Sequence, residues 1–167
     1  MITIMYMSWL DRREFSIERR VEIAGSRDFT DFYRLNKVCE WIFASLQISY
    51  EGTVIVSGTC KGPDRLGEQF ASIHNMEIKQ FPADWKLFGK RAGMIRNAQM
   101  ADYLVDETLG SVLIAFWDGL SHGTKNMISL ALDHRIDTVV VRYDKQIIER
   151  YDYAAGKFVR IDLPHNE

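Results

Sequence analysis

Five short runs of apolar, β-prone residues alternate along this chain with four segments whose apolar residues recur at helical spacing. The runs predict β-strands at Arg20–Ala24, Thr53–Val56, Ile78–Phe81, Val112–Phe116 and Thr138–Val141. The segments between them predict four helices, whose apolar faces extend from Phe32 to Leu46, Leu66 to Ile73, Ile95 to Val105 and Met127 to Leu132. This alternation is typical of an α/β fold with an open, mostly parallel sheet flanked by helices.

The ends of the chain lie outside this alternating pattern. After Val141 two β-prone runs surround a glycine-containing turn, which predicts a C-terminal β-hairpin over residues 144–163. Residues 1–19 are expected to add a strand or to cover a sheet edge. Because no repeat, low-complexity tract or linker interrupts the chain, we expect a single domain over residues 1–167 with its core at about 20–143.

Composition narrows the classes of partner. A formal net charge of −2 gives no general attraction to nucleic acid or to an anionic membrane. The N-terminal MITIMYMSWL is too short to span a bilayer and lacks a basic stretch before it, which predicts neither a signal peptide nor an anchor. Cys39 and Cys60 have no metal-ligand spacing and the histidines are scattered, so we expect a reducing, cytoplasmic setting, no metal and no cofactor.

The loops at the two edges of the predicted sheet differ in chemistry. Helix-to-strand returns such as 74–77 and 135–137 carry ordinary turn residues. In a parallel α/β sheet the strand-to-helix connections meet at the carboxyl edge, where a crevice forms at the point of strand-order reversal. Turn and cap residues are a sufficient explanation for any one of these loops. Four such loops at one edge of the sheet predict a ligand site. The four connections cover residues 25–28, 57–64, 82–97 and 118–125.

The fourth connection, FWDGLSHGTKNM, has the composition of an anion site. Gly123 and Thr124 stand at the start of a predicted helix, where unpaired N–H groups and the helix dipole attract anions and small residues allow close approach. Lys125 adds a positive charge beside them. A simple helix cap by Ser121 or Thr124 would use the same residue types.

The second connection, SGTCKGPD, is partly explained by helix geometry. Gly62 and Pro63 fit a helix cap and its first position. We assign Gly58 and Thr59 to close ligand approach, and Asp64 to capping or to a sugar hydroxyl.

The third connection, FPADWKLFGKRAGMIRN, contains four basic residues together with Trp85 and Phe88. Arg91 and Arg96 flank Gly93 at the start of a predicted helix, and arginine suits bidentate phosphate recognition. Arg27, after the first strand, is expected to join them.

Phosphate contacts alone would give weak binding, because a charge-assisted hydrogen bond contributes about 1.5–3 kcal/mol while association costs several kcal/mol. A larger ligand with an apolar face is therefore expected. Trp85 or Trp117 could stack on its base, although each tryptophan fits the core equally well.

Four ordered stretches resemble motifs of the YspA-related branch of the SLOG superfamily: VEIAGSRDF, VIVSGTCKGPDRLGEQFA, FPADWKLFGKRAGMIRNAQM and LIAFWDGLSHGTKNMISLA. The resemblance implies a Rossmann-like fold and a nucleotide-like small-molecule partner. That superfamily includes the nucleoside-monophosphate phosphoribohydrolases that activate cytokinins, DNA-processing protein A and sensors of nucleotide derivatives in bacterial and phage conflict systems. The resemblance further implies that the following residues occupy motif positions: Gly25, Ser26, Arg27, Gly58, Asp64, Arg65, Asp84, Trp85, Gly93, Arg96, Asn97, Ser121, Gly123 and Thr124.

The chain departs from the motifs of the resembled family at two positions. Thr59 replaces the second glycine of the SGG-type loop, which narrows the approach of a ligand to the backbone. Asn126 is assigned to the position of the glutamate in the phosphoribohydrolase segment PGGxGTxxE. Because glycosidic cleavage needs a carboxylate, enzymatic activity is left open, with Asp84 and Asp118 as candidate replacements.

The resemblance, taken together with the loop residues, implies three candidate functions. The first is a protein that senses or sequesters a nucleotide or a nucleotide-derived signalling molecule such as an ADP-ribose derivative, with Asp118 and Lys125 among the contacts. The alternative is a nucleoside 5′-monophosphate phosphoribohydrolase, an N-glycosidase. Single-stranded nucleic-acid binding ranks third, since the chain lacks a basic run. The appended segments suit either a sheet-edge cover, the commoner use, or a homo-oligomer interface.

Overall fold

The computed structural model describes residues 18–105 and 110–162. Within these ranges strands and helices alternate as far as the fifth strand, and a short 3₁₀ turn at Gly89–Arg91 precedes the fourth helix. The strands are β1 (Arg19–Gly25), β2 (Thr53–Ser57), β3 (Glu77–Gln80), β4 (Ser111–Trp117), β5 (Asp137–Arg142), β6 (Ile147–Asp152) and β7 (Lys157–Ile161). The helices are α1 (Phe32–Ser45), α2 (Pro63–Ile73), α3 (Trp85–Phe88), α4 (Ala92–Val105) and α5 (His122–Asp133).

The strands form one sheet in the order β3-β2-β1-β4-β5-β6-β7. The first five are parallel, whereas β6 and β7 pair antiparallel. This arrangement confirms the predicted Rossmann-like α/β fold and the C-terminal hairpin. Because β6 pairs with β5, the hairpin extends the sheet beyond the parallel strands.

Alternate side chains of the inner strands pack into two apolar layers, one on each face of the sheet. In β4, Ile114 faces the layer formed with α1 and α2, and Leu113 faces the layer formed with α4 and α5. Both side chains are fully buried. Burial on both faces explains why the β4 and β5 sequences are apolar without alternation.

The chain reverses its direction of winding between β1 and β4. The helices that follow β1 and β2 pack on one face of the sheet, and those that follow β3 and β4 pack on the other. The loops that leave β1 and β4 therefore diverge at their carboxyl ends, and a crevice opens between them.

The start of α2 confirms the predicted helix cap. Gly62 is the N-cap residue, with φ of 84°, and Pro63 is the first helical residue. A left-handed φ of this kind favours glycine, and proline suits a position whose N–H has no helical partner. The apolar faces predicted for the four helices lie in α1, α2, α4 and α5, except that Leu46 is the C-cap residue of α1.

The prediction of one long connection over residues 82–97 is wrong. Residues 85–88 form α3, residues 89–91 form the 3₁₀ turn, and α4 begins at Ala92. The apolar residues of α3 are exposed, so this stretch has no buried face from which a helix could be predicted. Strand β3 also lies one residue earlier than predicted.

The predicted N-terminal strand or edge cover falls almost wholly on residues 1–17, which lie outside the described residues. No helix in the described part of the chain has the length and apolar character needed to cross a membrane.

Candidate functional site

A crevice of about 440 Å³ lies at the carboxyl ends of β1 and β4. Its volume falls within the range of small-molecule sites, about 300–1,000 Å³. All four predicted regions contribute to its lining. Ten of the predicted site residues lie there: Gly25, Ser26, Arg27, Asp64, Arg96, Asn97, Asp118, Ser121, Gly123 and Thr124. Six further lining residues were not predicted: Glu22, Ala24, Asp28, Cys60, Met100 and Met127.

A second cavity of about 430 Å³, called here the side cavity, adjoins the crevice. It contains three more predicted residues, Gly58, Thr59 and Trp85, and it shares Arg27 and Cys60 with the crevice. Trp85 is 52% exposed, so it is a surface residue beside the side cavity and not a core residue.

Five predicted residues line neither cavity. Asp84 caps α3 by accepting a hydrogen bond from Leu87 N at 2.9 Å, and Arg91 is exposed in the 3₁₀ turn. The other three are Gly93, Trp117 and Lys125.

Trp117 has a structural role at the end of β4. Its indole Nε1 donates to the carbonyl of Ser121 at 3.2 Å. The Arg142 guanidinium lies 5.0 Å from the ring centroid, within the range of a cation–π contact. The ring also packs against the apolar layer of α4 and α5, which favours the core role over base stacking.

The Arg96 guanidinium lies at the floor of the crevice and bonds mainly to the protein. Its Nε donates to Asn97 Oδ1 at 2.9 Å, and Nη1 donates to the carbonyl of Gly58. Nη1 also lies 3.9 Å from Asp64 Oδ2 and 3.5 Å from Cys60 Sγ. Because most of its donors are occupied, Arg96 has little capacity left for a phosphate.

Asp64 joins the β2–α2 loop to this guanidinium. Its Oδ2 accepts a hydrogen bond from Cys60 N at 3.2 Å, and the residue is 5% exposed. Burial raises the pKa of Asp64 to about 6, although the Arg96 charge and the Cys60 N–H both oppose the rise.

Two glycines, one in the crevice and one in the side cavity, are explained by packing within the protein. A Cβ atom at Gly25 would collide with the carbonyl of Phe116 and lie 2.8 Å from the Pro63 ring. One at Gly58 would collide with the Arg96 guanidinium and lie 2.7 Å from Asp64 Oδ2. A side chain at position 58 would therefore displace the Arg96 guanidinium and the Asp64 carboxyl group.

Gly123 differs from these glycines because a Cβ atom there would meet nothing within 4 Å. It lies in the first turn of α5, where Ser121 is the cap and its Oγ accepts from Thr124 N at 3.4 Å. Within the described residues, the N–H groups of His122 and Gly123 have no acceptor. The cap and a free helix N-terminus are thus both present.

Asp118 stabilises the loop that leads into α5. Its Oδ1 accepts hydrogen bonds from Ser121 N at 2.7 Å and from Leu120 N at 2.9 Å, and its own N–H donates to Ser26 Oγ at 3.2 Å. Burial alone would raise the pKa of Asp118, but the N–H donors outweigh it and lower the pKa. Asp118 is therefore a carboxylate at neutral pH.

Arg27 and Asp28 form the outer rim of the crevice, and both are exposed. Asp28 Oδ1 accepts a hydrogen bond from the Tyr143 hydroxyl at 2.7 Å. Arg27 Nη2 lies 4.0 Å from Cys60 Sγ and makes no ion pair within the described residues. The Arg27 guanidinium is thus the more available of the two crevice arginines.

Glu22 is the functional candidate that the sequence patterns missed. It lies within β1, is 0% exposed and lines the crevice. A signal was present in the sequence, since a glutamate within a strand that is apolar on both sides is almost never buried without a specific reason. Within the described residues, no group of three or more His, Cys, Asp or Glu side chains could hold a metal ion.

The assignment of Asn126 to the position of the motif glutamate needs correction. The spacing GTxxE, aligned on Gly123 and Thr124, places that position at Met127. Met127 is buried and lines the crevice, whereas Asn126 Oδ1 accepts a hydrogen bond from Asn97 Nδ2 at 3.0 Å. An apolar side chain therefore stands where the phosphoribohydrolase segment has its carboxylate.

Comparisons with known proteins found one family and one curated relative to which the chain is similar. The model of the YspA, cpYpsA-related SLOG family matches residues 19–88, from β1 through α3. The Gene 61 protein of Mycobacterium phage D29 is 33% identical over 113 residues, which cover 65% of this chain and 84% of the phage protein. No solved structure matches the chain.

Proposed function

Because the chain belongs to the YspA, cpYpsA-related SLOG family, we propose that its crevice binds a nucleotide or a nucleotide-derived signalling molecule, such as an ADP-ribose derivative. The observation that carries the proposal is the first turn of α5. There the unpaired N–H groups of His122 and Gly123 adjoin the crevice, and the residue at 123 has no side chain to obstruct it. A helix N-terminus of this kind suits a phosphate group.

Two groups on the opposite side of the crevice support the same ligand class. Ser26 lies on the loop after β1, and the neighbouring Arg27 guanidinium is exposed at the rim. Arginine at the rim and amide groups at the helix start would contact a phosphate from two directions. The remaining depth of the crevice leaves room for the rest of a nucleotide.

The test is to titrate AMP and ADP-ribose into the purified protein by calorimetry and to identify the bound compound afterwards by mass spectrometry. We expect binding with intact recovery. Gly123→Ala should weaken binding about tenfold, because the added methyl group occupies the anion position. Its stability should stay within about 0.5 kcal/mol of the wild type, since the new Cβ meets no protein atom.

Gly93→Ala is the matched control. Gly93 is also in the first turn of a helix, and a Cβ there would make an ordinary contact of 3.6 Å with Trp85 outside the crevice. Its binding should equal that of the wild type. Equal binding by wild type and Gly123→Ala, or no binding of either compound at millimolar concentration, would contradict the proposal.

Cleavage of an N-glycosidic bond is a second candidate function, and one observation favours it. Asp118 is a carboxylate in the crevice lining, whereas Asp84, the other candidate, caps α3 away from the crevice. A hydrolase would release free adenine from AMP, and Asp118→Asn would abolish that release. Recovery of intact AMP after long incubation at high protein concentration would exclude this activity for AMP.

A further inference from the structure

The side chain of Glu22 has no hydrogen-bond partner within the described part of the chain. Both carboxyl oxygens are buried, and neither lies within hydrogen-bonding distance of another group there. The side chain nevertheless lines the crevice, at the deep end formed by β1 and α4. Buried polar groups in proteins are almost always hydrogen-bonded, so an unpartnered carboxyl next to a crevice points to a ligand.

The neighbours of Glu22 do not account for its presence. Its cross-strand neighbours are Val56 in β2 and Leu113 in β4, both fully buried and apolar. The Arg96 guanidinium lies near but donates to Gly58 and Asn97. An aliphatic residue at position 22 would match its neighbours and would avoid the cost of burying an unpaired carboxyl group.

The environment also determines the charge of Glu22. Burial raises its pKa well above the ordinary value, the nearby Asp64 carboxyl raises it further, and the Arg96 charge opposes both. Burial and the Asp64 carboxyl group therefore both favour the protonated, uncharged form of the Glu22 side chain. A protonated carboxyl group is both a donor and an acceptor, which matches a hydroxyl group.

We propose that the carboxyl group of Glu22 is a direct ligand contact that hydrogen-bonds a hydroxyl group in an uncharged part of the bound molecule, such as a sugar ring. This inference rests on the proposed function and adds an orientation to it. The phosphate lies at the rim, near Arg27 and the start of α5, and the sugar lies at the floor. A phosphate at the floor would face the Asp64 carboxyl.

The experiment compares the wild type with Glu22→Leu and Glu22→Gln, using AMP and its 2′-deoxy and 3′-deoxy analogues as probes. Glu22→Leu should weaken AMP binding at least tenfold, because the ligand hydroxyl loses its partner. The same change should raise Tm by about 2–4 °C or more, because the unpaired carboxyl is removed from the core. Glu22→Gln keeps a donor and an acceptor and should bind AMP within about threefold of the wild type.

The deoxy analogues locate the contact. The wild type should bind one analogue about tenfold more weakly than AMP, and Glu22→Leu should bind that analogue and AMP equally.

If Glu22→Leu gains stability but binds AMP as tightly as the wild type, the contact is excluded and the proposed function stands. Lower stability in Glu22→Leu would reveal a structural partner and would also overturn the contact. If the wild type does not bind AMP, the proposed function fails for this probe, and the contact fails with it.

Discussion

The two edges of the parallel sheet are constructed differently. At the amino edge, the three helix ends that are described in full have the same structure. After α1, α2 and α5 a residue with positive φ is followed by a buried apolar residue whose N–H bonds back to the helix. The pairs are Gln47 and Ile48, Asn75 and Met76, and Arg135 and Ile136.

At the carboxyl edge, the loops bond to one another across long sequence separations. Arg96 donates to the carbonyl of Gly58, 38 positions away, and Asn97 Nδ2 donates to the carbonyl of Gly123, 26 positions away. The N–H of Asp118 donates to Ser26 Oγ, 92 positions away. Each loop there depends on the others for its conformation.

The two edges of the sheet therefore contribute differently to folding and to binding. A helix end that closes within six residues needs no other part of the molecule, so it fixes the frame of the fold. Loops that are held by distant side chains can position groups around a cavity, and a single substitution in them affects several loops at once. We therefore expect substitutions at the carboxyl edge to have larger effects than similar ones at the amino edge or on exposed helix surfaces.

The largest effect is expected from Arg96→Met. This change removes the donor to Gly58 and leaves the buried Asp64 carboxylate without its counter-charge. Breaking a buried ion pair from one side costs about 3–5 kcal/mol. We expect the free energy of unfolding to fall by about 3 kcal/mol at pH 7.5, measured by urea denaturation.

Arg65→Met is the control for this change. Arg65 pairs with Glu68 at 2.9 Å, but its side chain is 55% exposed, so its loss should cost less than about 1 kcal/mol. Equal losses in the two variants would mean that the carboxyl edge is not held together through Arg96.

The pH dependence of stability should also differ between the edges. In the folded protein the pKa of Asp64 is raised by burial to about 6, above the ordinary aspartate value of about 3.9. The folded state therefore binds more protons than the unfolded state in this window, and stability falls as the pH rises from about 4 to 6. Relative to the Asp64→Asn variant, the free energy of unfolding of the wild type should fall by about 2–3 kcal/mol as the pH rises from about 4 to 6.

Glu40, on α1 beside the return after α2, should show the opposite slope. Burial raises its pKa, but the hydrogen bonds from Asn36 and Lys37 and the nearby charges together outweigh burial and lower the pKa. Relative to Glu40→Gln, the wild type should lose stability as the pH falls through the range where Glu40 becomes protonated. Chemical denaturation measures how stability depends on pH in both comparisons. If stability changes with pH in the same direction for Asp64 and for Glu40, the two edges do not differ in this property.

The sequence predicted the frame better than the carboxyl edge. Strands β1, β2, β4 and β5 were predicted within one residue at each end, because strands buried on both faces must be continuous apolar runs. The region of α3 and α4 was predicted poorly. The buried face of α4 includes the polar residues Arg96 and Asn97, which hydrophobic periodicity does not count.

The regions that form the candidate site could be predicted from the sequence, but the role of each residue could not. The positions of the loops follow from sheet topology, and ten predicted residues do line the crevice. Whether an arginine faces a ligand or the protein depends on contacts between loops. Arg96 bonds inward and Arg27 faces the rim, although the two looked equivalent in sequence.

The smallest effect concerns backbone strain and compares one residue at each edge. Thr59 has φ of 62°, a left-handed conformation that is costly for a β-branched residue. Glycine adopts this conformation without a steric cost. Thr59→Gly should raise the free energy of unfolding by about 1 kcal/mol. Asn75 has φ of 54° in the return after α2. Because asparagine tolerates the left-handed region, Asn75→Gly should change the free energy of unfolding by only about a few tenths of a kcal/mol. Urea denaturation of both variants measures the difference, and a gain at Asn75 equal to that at Thr59 would show that strain is not concentrated at the carboxyl edge.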